Sequence, residues 1–321
     1  MIKAEIIKDS INVFGNRLTS TVLDFPRIVL SEFNTHKMIS KNSASSRAIP
    51  FHKMLEKVQN DPFIPIKWMK DHSGMQGTEY FTNEEVESIG LLRDHLEARD
   101  FAMERAIKQN ANGLTKQIVN RYLEPFLWHK VLATASEWEN FLALRAAEGA
   151  EIHIQDLAYK LLDAMNDSKP IFLKEGEWHI PFDTDSLIQS DLERIKVATA
   201  RCARTSYNNF DGNSDYNKDI ELHDKLAIGG HWSPMEHPAR VMYEREFFNF
   251  NKSIIIPTKD VEQYESNNNS DWFDIIATVG GNKEETIITE FGWCKNYRGF
   301  IPYRYLFPNE NRRESRLLNK I

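Results

Sequence analysis

The stretch "LTSTVLDFPRIVLSEFNTHKMISKNSASSRAIP", residues 18–50, decides how the start of the chain folds. Its first residues alternate apolar and polar side chains, as a strand with one buried face does. Pro26 then opens a helical pattern that places Val29, Phe33 and His36 on one face. A strand followed by a helix in this way brings His36 to the end of the helix.

The second half of the stretch, from Thr35 to Pro50, is rich in serine, lysine and other polar residues and ends at a second proline-started helix. Hydroxyls and exposed backbone N–H groups suit an anion, and a guanidinium can bind two phosphate oxygens at once. The unpaired N–H groups at a helix start also favour anions. The alternatives are an anion site at Ser45, Ser46 and Arg47 and an ordinary polar loop.

A longer segment, residues 134–162, predicts one long helix in which Ser136 and Glu139 have capping-box spacing. One face of this helix carries Trp138, Phe141, Arg145 and Ile152. A guanidinium in an apolar face needs a partner if it is buried, whereas at the edge of the face it can extend to water. Both alternatives stay open for Arg145.

Composition indicates a folded protein that does not bind duplex nucleic acid or membranes through bulk charge. With 41% apolar residues the chain can build a large core, and its net charge of -7 provides no general positive field. No apolar run approaches the roughly 20 residues that span a bilayer. Only Cys202 and Cys294 are present and residues 1–15 lack a hydrophobic signal core, so we expect a reducing, cytoplasmic setting.

The segment "HWSPMEH" offers His231, Glu236 and His237 as possible metal ligands. A helical zinc site needs ligands one turn apart, and Pro234 interrupts the helix between them. We therefore expect no metal site.

Two further possibilities are a cysteine nucleophile and a dinucleotide or nucleoside triphosphate site. Arg201 and Arg204 can lower the pKa of Cys202 and make it a nucleophile, although a lone cysteine more often packs in a core. Neither a dinucleotide-binding glycine turn nor a P-loop pattern occurs.

The triplet Thr35-His36-Lys37 is followed after seven residues by Ser45, with Asn42 and Arg47 at fixed places around it. This pattern resembles the Arg-His-Arg triplet and the Asn-Glu-x-Ser-x-Arg segment of the flavin-dependent thymidylate synthases. Two other segments resemble the same family. The first is "ARTSY" with "HWSPMEH", similar to the family's Ala-Arg-Val-Ser-Tyr and His-x-Thr-Pro-Phe-Glu-His, and the second is "NFLALR", similar to its Asn-Phe-Leu-x-Leu-Arg.

The order of these segments is unusual, because "ARTSY" and "HWSPMEH" follow "NFLALR" here and precede the triplet in ordinary members. The resemblance therefore implies a circularly permuted, phage-type member, and a cytoplasmic location in the host if a phage encodes it. Permutation is tolerated where the original termini lie close together at the surface.

The resemblance implies an α+β fold, an antiparallel or mixed sheet flanked by helices, in one catalytic domain over residues 1–321. The half at residues 1–165 would hold the phosphate cradle and the long helix, and the half at 185–321 the turn that contacts the flavin. The family usually assembles as a homotetramer with sites shared between subunits, so we expect one here.

The implied reaction is reductive one-carbon transfer to C5 of dUMP, giving dTMP, with FAD as cofactor and NADPH and methylenetetrahydrofolate as co-substrates. Arg145 and Ser45 would be catalytic, with Arg145 contacting the pyrimidine O2 and N3. The nucleotide would be bound by Ser45, Ser46, Arg47, Arg121, Arg145 and Glu32. The flavin would be bound by His36, Lys37, Asn42, Asn140, Ser206, His231, Ser233 and Glu236.

Five positions depart from the family pattern: Thr35, Lys37, Ser43, Glu32 and Gly149. Lysine in place of arginine reduces a bidentate contact to a point charge. Hydroxymethylation, dCMP as the substrate and a non-catalytic nucleotide-binding role therefore stay open as alternatives.

Overall fold

The computed structural model describes residues 1–43, 45–74, 77–183, 188, 190–204, 216–261, 273–278, 285–308 and 310, with 273–278 and 285 described by their backbone only. The described helices are α1 Leu30–Thr35, α2 Phe51–Asn60, α3 Asn83–Ile89, α4 Leu91–Ala111, α5 Lys116–Val119, α6 Glu139–Arg145, α7 Ile152–Asp167, α8 Asp191–Arg204, α9 Tyr216–Ile228 and α10 Glu244–Asn249. Short 3₁₀ helices occupy Arg27–Val29, Asn120–Phe126, Ser233–Glu236, Thr258–Asp260 and Tyr303–Leu306.

The described strands are β1 Lys3–Asn12, β2 Arg17–Pro26, β3 Ser40–Ser43, β4 Trp128–Ala135, β5 Ile171–Leu173, β6 Trp178–His179, β7 Ala239–Val241, β8 Asn251–Pro257, β9 Phe273–Thr278, β10 Glu285–Phe291, β11 Trp293–Cys294, β12 Tyr297–Arg298 and β13 Phe300–Pro302. Five of them form a sheet in the order β3-β4-β2-β1-β5, and smaller sheets are β8-β10-β9, β13-β7-β6 and β11-β12. The predicted α+β class is confirmed.

The five-stranded sheet is mixed, because β5 runs parallel to β1 whereas the other neighbours are antiparallel. Side chains along β4 alternate between its two faces, as strand geometry requires. Val131 and Ala133 pack in a core with Leu157 of α7, while Leu132 packs in a second core with Cys202 of α8. Helices therefore cover both faces, as predicted.

The prediction of one helix over residues 134–162 is wrong. Its first residues belong to β4, and the remainder divides into α6 and α7 around a break that contains Gly149. Glu151 caps α7 by accepting hydrogen bonds from the backbone N–H groups of His153 and Ile154. The apolar spacing runs through all three elements, which is why the sequence reads as one helix.

The predicted capping box at Ser136 is also wrong. The N-cap of α6 is Trp138, and the Ser136 hydroxyl accepts a hydrogen bond from the backbone N–H of Arg298 at 2.9 Å. The hydroxyl that was expected to cap α6 is therefore bonded to β12, from the C-terminal part of the chain. This contact brings β12 close to the start of α6.

Helices α3 and α4 are separated at Gly90, whose φ of 85° ends α3. Around the opening stretch the predictions are confirmed. β2 forms, Val29, Phe33 and His36 are all buried, and α2 starts directly after Pro50. Among the described residues, no helix is long and apolar enough to cross a membrane.

Candidate functional site

The candidate site is built around the segment from His36 to Arg47, which we call the β3 segment. It leaves α1, runs along the edge of the five-stranded sheet as β3 and continues towards α2. β3 is hydrogen-bonded to β4 on one side only, because it is the outer strand of the sheet. Side chains from other parts of the chain reach it along its length.

Arg145, the last residue of α6, meets the beginning of the β3 segment. Its Nε donates a hydrogen bond to Nε2 of His36 at 3.1 Å. The buried ring of Phe141 holds the imidazole edge-on, with centroids 4.9 Å apart. Arg145 is half-buried, and of the two alternatives the partnered one is observed. Sequence alone does not show that the partner is a histidine.

His36 is held in its neutral form. Burial lowers its pKa below the usual range, and the nearby charges of Arg145 and Lys41 lower it further. A neutral imidazole has one acceptor nitrogen, which here faces Arg145. Asn140 also forms a side-chain hydrogen bond with His36.

The middle of the β3 segment meets the two C-terminal segments. The Ser233 hydroxyl donates to the carbonyl oxygen of Lys41 at 2.9 Å, and Asn42 Nδ2 donates to the carbonyl oxygen of Cys202 at 2.6 Å. Residues widely separated in sequence are thus tied to adjacent positions of one strand. Ser233 and Asn42 use these groups to position the protein backbone.

Lys41 is a site residue that the sequence analysis missed. Its ammonium lies 5.2 Å from the ring centroid of Phe33 and hydrogen-bonds the carbonyl oxygen of His36. Burial, and then the charge of Lys37, lowers its pKa to about 8. The lysine is visible in the sequence, but its burial depends on packing that the sequence does not reveal.

The far end of the β3 segment holds the predicted anion cradle. Asn120 donates to the carbonyl oxygens of Ser46 and Ile49, at 2.7 and 3.0 Å, and fixes the course of the chain between them. Arg47 is exposed, with its backbone N and its Nε each 3.4 Å from Ser45 Oγ. These contacts leave the cation of Arg47 beside the Ser45 hydroxyl.

The Ser46 hydroxyl, which the resemblance implies would bind the phosphate, is hydrogen-bonded within the protein in this structure. Its hydroxyl donates to Glu124 Oε1 at 2.6 Å, and a hydroxyl has only one proton to give. Arg27 pairs with the same carboxylate at 3.4 Å. Ser46 is buried and therefore positions the loop, while Ser45 and Arg47 remain available to a ligand.

Arg121 lies on the 3₁₀ helix that supplies both Asn120 and Glu124, and it is exposed. Residues three apart are eclipsed in a 3₁₀ helix, so Arg121 lies above Glu124 and close to the cradle. Glu32, in α1, is half-buried and accepts a hydrogen bond from the Ser31 hydroxyl at 2.8 Å.

The remaining predicted residues divide into exposed and paired groups. Lys37, Asn140 and His231 are exposed and can reach a ligand, although Asn140 is also hydrogen-bonded to His36. Glu236 forms an ion pair with Arg304, for which the sequence left open a place in a folate or nucleotide pocket and an exposed place at a strand edge. Ser206 lies outside the described residues.

Arg145 and the 231–236 turn converge on the β3 segment at His36 and Lys41, five residues apart in the chain. Ser45 lies four residues further along, at the other end of β3. Among the described residues, Arg145 and Ser45 make no contact with each other. A single ligand can therefore contact both only if it extends along the β3 segment.

Cys202 does not match the nucleophile that was considered. It is completely buried, and desolvation raises its pKa well above the ordinary value, so the thiolate is disfavoured. Arg201 and Arg204 pair with the buried Asp219. Their charge is therefore directed to a carboxylate, and Cys202 is a packing residue.

The residues considered as metal ligands point to different partners. His237 is buried and its Nδ1 is hydrogen-bonded to Thr134 at 2.9 Å, Glu236 is paired with Arg304, and His231 is exposed. Within the described ranges, no three His, Cys, Asp or Glu side chains group as a metal site would require.

No protein-family model matches the sequence, and no curated protein matches it. Among solved structures, the chain is similar to the crystal structure of the UMP/dUMP methylase PolB from Streptomyces cacaoi bound with 5-Br UMP. The two share 11% sequence identity at a TM-score of 0.40, and the similarity covers 51% of this chain and 88% of that one. At that TM-score the similarity assigns neither a fold family nor an activity to this chain.

Proposed function

We propose that the chain is an FAD-dependent enzyme that transfers a one-carbon unit reductively to C5 of a pyrimidine deoxynucleotide, converting dUMP to dTMP. One observation carries the proposal. The motif residues from three separate parts of the sequence meet on the β3 segment, where Arg145 binds His36 and Ser233 binds Lys41. A chance resemblance of short motifs would not require them to be neighbours in space.

The nucleotide phosphate would lie at the far end of the β3 segment. Ser45 supplies a hydroxyl there, and Arg47 and Arg121 supply exposed guanidiniums next to residues that Asn120 holds or adjoins. Charge-assisted hydrogen bonds from arginine to phosphate are short and strong. The cradle is thus a local positive site on a chain with a net charge of -7.

The pyrimidine would lie against Arg145. Because Nε is occupied by neutral His36, the guanidinium is oriented and its two terminal nitrogens make no hydrogen bond to the described residues. They can face O2 and N3 of the base together and stabilise the negative charge that develops when C5 becomes nucleophilic. His36 therefore acts as a positioning residue for Arg145.

The residues present fit a flavin next to this position. Lys37, Asn140 and His231 are exposed donors that would hold it, while Asn42 and Ser233 position the backbone beneath. When bound, the flavin supplies the hydride chemistry, with NADPH as reductant and methylenetetrahydrofolate as carbon donor. The burial of Cys202 agrees with a reaction that needs no enzyme thiol. We also propose a homotetramer.

The proposal is tested by the absorbance spectrum of the purified protein with added FAD, followed by mass spectrometry of the nucleotide product. We expect protein-bound flavin absorbance and a product one methyl group heavier than dUMP. A hydroxymethylated product, or turnover of dCMP instead of dUMP, would show that the reaction differs from dTMP formation. The chain would still be a flavin-dependent enzyme that modifies pyrimidine nucleotides. A protein that takes up no FAD would contradict the proposal.

Ser45→Ala is expected to weaken dUMP binding by about tenfold, because it removes a hydrogen bond to a charged group worth roughly 1.5 kcal/mol. Ser46→Ala should instead lower the melting temperature, because it removes a hydrogen bond from the half-buried Glu124 carboxylate. Calorimetry with dUMP and thermal denaturation separate the two effects. The control is Ser88→Ala, at an exposed position on α3, and equal dUMP affinity in Ser45→Ala and this control would refute the cradle.

A further inference from the structure

A cleft opens beside the β3 segment, between the 233–236 turn and the C-terminal part of the chain. Its volume is about 160 Å³, which is below the roughly 300–1,000 Å³ of sites that enclose a whole drug-sized ligand and suits one small group of a ligand. Ser40 and Glu236 line it on the side of the candidate site, and Lys295, Arg304 and Tyr305 line it on the other. None of the last three has a role in the function proposed above.

The cations of this cleft converge on one carboxylate. Glu310 places Oε1 at 2.7 Å from Nζ of Lys295 and Oε2 at 3.2 Å from Nε of Arg304. Its side chain is only 6% exposed. Two cations that bind the two oxygens of one group form the arrangement in which proteins hold a phosphate or a carboxylate of a ligand.

The pairing between Arg304 and Glu310 is imperfect. Arg304 Nε lies within ion-pair distance of the carboxylate but makes no hydrogen bond to the described residues. The terminal nitrogen of Arg304 is directed instead to Glu236. A better-aligned oxyanion would therefore gain a hydrogen bond that Glu310 does not provide.

Lys295 adopts a backbone conformation that lysine rarely takes. It is the first residue of the two-residue loop between β11 and β12, and its φ is 58°. Glycine, asparagine and aspartate are the usual residues where such a loop needs positive φ, because a long side chain such as that of lysine is strained there. The strain is tolerated at a position where the ammonium reaches the cleft, which is the pattern of a functional residue.

We propose that Lys295 and Arg304 form a subsite for a phosphate or carboxylate group of a second ligand, and that Glu310 fills this subsite when the ligand is absent. The proposal rests on the proposed function only in that Ser40 and Glu236 join the subsite to the candidate site. Binding of the ligand displaces Glu310 without any covalent change. Competition from Glu310 lowers the apparent affinity for the ligand by the fraction of molecules in which the subsite is filled.

The test is calorimetry of the full chain with inorganic phosphate in one arm and glutarate in the other, at constant ionic strength. Glu310→Gln is expected to bind at least one of the two anions about tenfold more tightly than the wild type, since the neutral amide no longer competes. The anion whose affinity increases more identifies the ligand group as a phosphate or a carboxylate. Unchanged affinity for both anions would overturn the proposal whether or not the protein turns over dUMP.

A second variant distinguishes a ligand subsite from an ion pair that only stabilises the fold. Adding Lys295→Gly to Glu310→Gln should abolish the gain in anion binding. The double variant should melt at or above the melting temperature of Glu310→Gln, because no buried carboxylate then loses its ion pair and glycine relieves the strained φ. Anion binding that survives in the double variant, or a double variant that melts below Glu310→Gln, would count against the subsite.

Discussion

Arg145→Ala is expected to lower the turnover of dUMP by a factor of about 100 or more. The guanidinium would stabilise charge that develops on the pyrimidine, and the loss of one such donor elsewhere amounts to about 3 kcal/mol of transition-state stabilisation. The variant should still fold, since Arg145 is half-buried at the end of a helix and its only described hydrogen bond is to His36.

Two further variants sharpen this prediction. Arg145→Lys keeps the positive charge without the planar pair of donors, so it should recover only part of the activity. Arg93→Ala removes an arginine whose side chain is 68% exposed on α4 and serves as the matched control. Steady-state kinetics with dUMP measure all three, and an Arg145→Ala enzyme as active as Arg93→Ala would refute the assignment.

The second large effect concerns stability in acid. Three buried histidines, His129, His179 and His237, are 4%, 0% and 0% exposed. Burial lowers the pKa of His129 and of His237 to about 3, with Arg27 adding to the effect at His129, and it lowers the pKa of His179 well below the usual value. Each is therefore neutral in the folded protein over a wide range of pH.

Two of these histidines belong to a buried chain of hydrogen bonds that crosses the five-stranded sheet. His179 bonds Ser10 at 2.9 Å and Ser20 at 2.8 Å, Ser20 bonds Thr134 at 2.6 Å, and Thr134 bonds His237 at 2.9 Å. A proton added to either imidazole would place a charge in this chain with no carboxylate among its members. The folded state therefore resists protonation.

In the unfolded chain the same histidines take up protons near pH 6.5. Their contribution to stability is complete above that pH and is lost as the pH falls towards their lower folded pKa values. Each contributes a slope of about 1.4 kcal/mol per pH unit, so three contribute about 4 kcal/mol per unit. A domain with a free energy of unfolding of about 5–15 kcal/mol should then unfold within a few units below pH 6.5.

Chemical denaturation at a series of pH values measures this slope. His237→Gln should reduce it by about 1.4 kcal/mol per pH unit, whatever its effect on stability at neutral pH. His52→Gln, at an exposed position on α2, should leave it unchanged. Identical slopes in the two variants would show that the buried histidine is not the group that titrates.

The sequence predicted the parts of the fold that depend on local pattern. β2, α2 and the buried face of Val29, Phe33 and His36 follow from alternation, from helical spacing and from the prolines that start each helix. It failed between residues 134 and 162, where apolar spacing is compatible with one helix although Thr134 pairs with β2 and β3 as part of β4 and the rest divides into α6 and α7. Strand pairing is a long-range choice that local spacing does not encode.

The candidate site likewise has a part that the sequence predicted and a part that depends on the fold. The residue types and spacing of the β3 segment indicated an anion cradle, but the partners of its members lie far away in the chain. Ser46 meets Glu124 across 78 positions and His36 meets Arg145 across 109. The pairing of Glu236 with Arg304, and of Arg304 with Glu310, is likewise set only by the fold.

The central claim is that the β3 segment and Arg145 form a catalytic site for chemistry at C5 of dUMP. The most direct measurement is the release of tritium from C5-labelled dUMP by the FAD-loaded protein with NADPH and methylenetetrahydrofolate. We predict release that requires methylenetetrahydrofolate and disappears in Arg145→Ala. Flavin-loaded protein that binds dUMP and releases no label, with dUMP recovered unchanged, would contradict the claim.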